Sequence, residues 1–148
     1  MSPQGRVITF VIDEPFDRSL RMLRRALALE RLRVPHELDT ATRLRQELGI
    51  GLRQNTVLYV DDPIVLLEAT VMNAGGALFV PEPVVLSSFD TGCRVSVRSV
   101  EPVLASDLPA SLRGAVTGLH DRILSVIGRI AQRETAVSGM SRGGAVSA

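Results

Sequence analysis

Leu112, Val116, Leu119, Ile123, Ile127 and Ile130 recur at spacings of four, three, four, four and three, which is one continuous apolar stripe along a long helix. A stripe of that length stays dry only against another layer of comparable extent, so the helix is expected to lie across a sheet. Asp107 and Pro109 supply an opening signal in front of it. Its opposite side carries Gly114, Gly118, Asp121, Ser125 and Gly128. An interior glycine costs a helix about 1 kcal/mol relative to alanine. The expectation drawn from three of them on one side is close approach by a second chain, giving a homodimer.

The remaining pattern supplies the sheet. Arg6 to Ile12 (RVITFVI) is rich in β-branched residues and predicts a first strand. A helix follows, with Pro15 suited to the first helical position, Asp17 near the positive end of its dipole, and Phe16, Leu20, Leu23 and Leu27 along one face. Arg18, Arg21, Arg24 and Arg25 fall on its solvated side. Val34 to Asp39 predicts a short strand, after which Thr40 caps a brief helix that holds Leu44 and Leu48 and stops at Gly49. Asn55 to Val60 is a further strand, and Asp62-Pro63 opens an apolar helix from Ile64 to Met72 that Asn73 and Gly75 terminate. Ala77 to Val80, running on toward Ser88, and Cys93 to Val100 predict a hairpin around Asp90-Thr91-Gly92. The fold class is therefore α+β: a curved antiparallel sheet of about four to five strands, backed by helices and crossed by the long C-terminal one. Residues 1–133 form a single domain in this reading, and 134–148 a small, polar tail expected to be disordered.

Composition narrows the function classes. The chain has 148 residues, enough for one self-sufficient core. Its seventeen basic residues, all Arg, nearly balance sixteen acids. No global field recruits nucleic acid or anionic lipid, and four Phe with one Tyr offer few stacking platforms. Asp61, Asp62, Glu68, Asn73 and Glu82 interrupt the apolar stretch from Val57 to Leu86. No run approaches the roughly 18 residues a membrane span requires. A lone Cys93 excludes an internal disulfide, and the first residues lack a leader pattern, so a cytoplasmic location is expected. Phosphate loops, nucleophile elbows and paired Cys or His spacings for zinc are not found. No metal and no cofactor is expected.

The order of elements, with His36-Glu37-Leu38-Asp39 on the second strand, Leu48-Gly49-Ile50 after the short helix, Asp61-Asp62-Pro63, and Val80-Pro81-Glu82-Pro83, resembles the domain-of-unknown-function 302 family over about residues 6 to 132. That resemblance implies a TATA-box-binding-protein-like fold and a small homodimer; the family label carries no established reaction. Two positions depart from the family pattern. Asp61-Asp62-Pro63 stands where members usually show Cys-Asn-Pro, and Pro81-Glu82 where they usually show Pro-Cys. Acids replace both expected thiols, which takes thiolate and soft-metal chemistry away from those positions.

Acids among Val, Leu and Ile are costly unless exposed, paired or used. If the implied fold holds, Glu37, Asp39, Asp61, Asp62 and Glu82 come from the ends of neighbouring strands toward one cavity. Carboxylates sharing an apolar pocket push their pKa values apart, leaving one donor and one acceptor at neutral pH. Tyr59 and His36 are the nearby groups able to contact a ligand or relay a proton. The expectation is a homodimeric domain that binds a small apolar molecule in a carboxylate-lined pocket, without nucleic acid or membrane partners. Its alternative is an acid/base cyclase, isomerase or epoxide/ester hydrolase using those five acids, and a second alternative is a structural or interaction module.

Overall fold

The computed structural model describes residues 6–134. Its elements in order are β1 (Val7–Ile12), α1 (Phe16–Leu29), β2 (Arg33–Asp39), α2 (Thr40–Leu48), β3 (Asn55–Asp61), α3 (Pro63–Met72), a 3-10 turn (Ala74–Leu78), β4 (Glu82–Phe89), β5 (Gly92–Arg98), α4 (Glu101–Leu104), α5 (Ala110–Ile130) and β6 (Gln132–Arg133). The strands form one antiparallel sheet in the order β2-β3-β4-β5-β1-β6. Helices cover one face of it, α5 among them, so the α+β architecture is as the patterning predicts. The sixth strand is a two-residue addition that periodicity over so short a run does not reveal.

The core lies between the helix layer and one face of the sheet. Strand alternation sends Phe10, Ile12, Leu58, Val60, Val84, Leu86, Val95 and Val97 to that face, where they meet Leu23 and Leu27 of α1 and Leu112, Val116, Leu119, Ile123 and Ile127 of α5. Val84 pairs with Val97 and Leu86 with Val95, which keeps the two apolar rows in step. Among the described residues, no helix is long and apolar enough to cross a membrane.

Local signals are corrected at four points. Asp39, rather than Thr40, caps α2: its carboxylate accepts from the Thr42 N–H at 2.9 Å. Ala77 to Val80 does not extend β4, because Ala74–Leu78 closes a 3-10 turn whose start is held by Asn73 Oδ1 accepting from Gly75 N–H. Pro109 occupies the N-cap position of α5 without a side-chain cap, so Asp107 does not cap that helix. Glu134 is tied to the sheet, its N–H donating to Thr9 O at 2.7 Å, while the rest of the expected tail lies outside the described residues. Gly49 ends α2 with φ of 70°, the left-handed conformation that favours glycine. A Cβ added at Gly114, Gly118 or Gly128 would meet nothing within 4 Å among the described residues.

Candidate functional site

Pairing register separates the five acids that the sequence places together. Val60 of β3 lies opposite Glu82 of β4, so both side chains share the sheet face that the helices cover. Asp61, one residue further along β3, belongs by alternation to the other face and is nevertheless only 3% exposed. Burial, with the neighbouring Asp62 charge, raises its pKa above the usual aspartate value, and Arg33 opposes this. Glu37 lies opposite Leu58 and forms a forked ion pair with Arg24 of α1, at 2.7 Å and 2.5 Å. That guanidinium holds the Glu37 carboxyl below its ordinary range. Asp39 is spent as the α2 cap. Asp62 caps α3 by accepting from Ile64 N–H at 2.8 Å, and also accepts from Arg122 of α5 at 2.7 Å, which lowers its pKa. His36 of the edge strand β2 and Tyr59 of its neighbour β3 stack with ring centroids 5.5 Å apart.

Glu82 reaches a partner that sequence reasoning passed over. Its Oε2 lies 2.7 Å from Nδ1 of His120 on α5, and the two residues are 3% and 4% exposed. A buried carboxylate facing a buried imidazole fixes the ring's orientation and assigns the Nδ1 proton to the shared bond. The Glu82 hydrogen bond raises the His120 pKa above its ordinary value; desolvation opposes it, and the charges of Glu82 and Asp121 reinforce it. The signal for His120 lay within the stripe itself: residue 120 follows Leu119 and sits four after Val116, on the inward side of the helix. A titratable group there needs a buried partner, and Glu82 is the acid whose strand faces it.

His120 lines a cleft of about 550 Å³ between the start of β1, the end of β5 and α5. Ile8, Val100 and Leu124 form apolar wall; Ser99, Glu101, Asp121, Arg6 and Arg133 supply polar groups. Arg6 and Glu101 approach to 3.5 Å. Nε2, the second ring nitrogen, has no hydrogen bond to a described residue. His120 is thus a buried, carboxylate-anchored ring at the border of the cleft. None of the five acids lines this cleft, although Glu82 acts on it through His120. Among the described residues, no three His, Cys, Asp or Glu side chains gather as a metal set.

The arrangement has the parts for proton exchange: an imidazole anchored at one nitrogen, at the border of a partly apolar recess, and a carboxylate that stabilises the protonated ring. A profile described as Domain of unknown function DUF302 matches residues 8–130. No curated protein matches the chain. Among solved structures, a crystal structure of an uncharacterized conserved protein DUF302 from Bacillus stearothermophilus aligns with a TM-score of 0.73, at 16% identity, covering 84% of this chain and 97% of that one. At this identity the likeness shows the fold alone.

Proposed function

The chain belongs to the DUF302 family of domains of unknown function, and on that footing we propose that it binds a small molecule in the cleft beside α5, with His120 as the contacting polar group. The observation that supports this reading is the buried Glu82–His120 pair at a recess whose walls are partly apolar. Few, well-placed polar groups among apolar side chains are what orient a small guest. The ligand that suits the cleft has an apolar body resting on Ile8, Val100 and Leu124 and one hydrogen-bonding group at His120 Nε2. Acid/base turnover is the more specific version of the same reading. Nε2 then gives or takes the proton while Glu82 holds the ring and balances its charge, which serves an isomerisation, cyclisation or hydrolysis equally. Asp61, Asp62, Glu37 and Asp39 have no part in this version.

The test is a fragment screen read by amide chemical-shift changes. Apolar fragments bearing one acceptor are expected to perturb Ile8, Val100 and Leu124 together. His120→Gln retains a side-chain donor toward Glu82 while deleting the ring, and should weaken those fragments at least ten-fold; Asp61→Asn should leave their affinity unchanged. Perturbations clustered elsewhere, or full affinity in the His120 variant, would return the cleft to a surface irregularity.

A second reading rests on a different surface. Ile64, Leu67 and Val71 project from successive turns of α3, all more than half exposed, with Leu78 exposed beyond them. Monomers seldom leave such a row uncovered, and the second copy of this chain is the occupant proposed for it. Sedimentation velocity across a concentration series should show a dimer that Leu67→Glu dissociates. A monomer at every concentration, or an unaffected dimer, rejects this surface.

A further inference from the structure

The face of the sheet turned away from the helices carries a row of planar groups. Leu58 and Val60 of β3 point into the core, so Tyr59 and Asp61 belong to the outer face. His36 of β2 lies opposite Tyr59, and Tyr59 lies opposite Pro83 of β4. One step beyond the Val84–Val97 pair, the same register brings Arg98 of β5 beside Pro83. Arg98 holds its guanidinium over the Phe79 ring, 5.9 Å from the centroid. Imidazole, phenol, pyrrolidine and a ring-backed guanidinium thus follow one another from β2 to β5, over about 14 Å at the usual strand spacing. Arg94, four residues before Arg98 and on the same face, lies 4.4 Å over the Phe89 ring. Phe10 and Phe16 build the core, whereas Tyr59, Phe79 and Phe89 stand here. The charges of this face favour an anion. Arg33, opposite Asp61, flanks the row and Arg98 ends it. Asp61 is only 3% exposed, and Glu134 is held by Arg94 at 3.3 Å.

We propose that this outer sheet face binds single-stranded nucleic acid, with bases resting on the row from His36 to Arg98 and phosphates taken by Arg33 and Arg98. Planar groups at strand spacing offer flat contact to splayed bases, which are held by stacking on aromatic rings and guanidinium planes. A guanidinium seated over a ring keeps its N–H groups for phosphate oxygens, which suit its fork. An acidic peptide would satisfy the arginines and leave the ring row without flat partners. A duplex would satisfy them too, but its bases are stacked on one another. The charge of the whole chain is nearly balanced, so attraction is confined to this face and fades with salt. The surface lies across the sheet from His120, and its occupancy is independent of the ligand reading of the α5 cleft.

Tyr59 is the sole tyrosine and the chain has no tryptophan, so intrinsic ultraviolet emission reports on this row alone. A short oligothymidine should quench that emission in the full chain at low salt, and its fluorescein-labelled form should gain anisotropy over the same concentrations. Each phosphate neutralised on a single strand contributes about 0.7 to the slope of log affinity against log salt. Two arginine contacts give a slope of about −1.4, and Arg98→Ala should halve it. Tyr59→Ser should weaken binding at least five-fold while Tyr59→Phe retains it, because the ring and not the hydroxyl stacks. Arg21→Ala with Arg25→Ala removes two charges from the exposed side of α1, on the helix layer, and should leave affinity and slope unchanged. A duplex of the same length should bind at least five-fold more weakly. Flat anisotropy at every concentration, equal affinity for the duplex, or affinity lost in the α1 variant but kept in Tyr59→Ser each overturn the proposal. Flat anisotropy with Tyr59 emission that changes with protein concentration would assign the face to a second copy of this chain instead.

Discussion

Replacing Glu82 with leucine will destabilise the domain by about 3 kcal/mol or more, the usual cost of removing one member of a buried charged pair. The change strands His120, itself 4% exposed, without its partner under the sheet. Most of the loss should be recovered in Glu82→Leu combined with His120→Phe, because two apolar side chains leave no orphan polar group. The pair also writes a pH dependence. His120 has a folded-state pKa raised above 6.5. Its contribution to stability is therefore fully present below the unfolded value and fades as pH rises through the folded one. Urea titrations of the wild-type chain from mildly acidic to alkaline pH should lose an increment of stability that Glu82→Leu lacks. Parallel pH profiles, or a Glu82→Leu cost under about 1 kcal/mol, would dismiss the pair as a stabilising element.

The second large effect is expected at Gly92. It opens β5 at the hairpin with β4, and a Cβ built there would sit 2.5 Å from the Ile12 carbonyl oxygen and 3.4 Å from Asp13 Cα. Both obstacles are backbone at the end of β1, where Ile12 pairs with Cys93, so neither swings aside as a flexible side chain would. Gly92→Ala should cost on the order of 2–3 kcal/mol in equilibrium unfolding. Gly118→Ala is the matched contrast. Its Cβ meets nothing within 4 Å in the middle of α5, and alanine should raise stability by up to about 1 kcal/mol. Similar effects of the two substitutions would contradict this account of the hairpin.

Much of the architecture was open to reading from periodicity. The spacings in α5, the Asp62-Pro63 start of α3, Gly49 after α2 and the hairpin turn before Gly92 are local signals, each set by backbone conformation within a few residues. Where reading failed, two local signals competed. Asp39 and Thr40 are both capping residues, and packing rather than propensity selects which one stands outside the first turn. Ala77 to Val80 is apolar enough for a strand, but Asn73 turns the chain into a 3-10 segment before β4 begins.

The candidate site is a different matter. The sequence by itself determined that carboxylates would be embedded among apolar strands, and that the α5 stripe would need a sheet to cover. Which acids share a face was decided by the tertiary structure, because a one-residue change in strand pairing reverses every side chain. The Val60–Glu82 register turns Glu82 inward to His120, whereas adjacent Asp61 belongs to the far face. Glu82 and His120 are separated by 38 positions in sequence. Nothing local relates them, and only the packing of α5 against β4 makes an acid and a base of two residues that burial alone would disfavour.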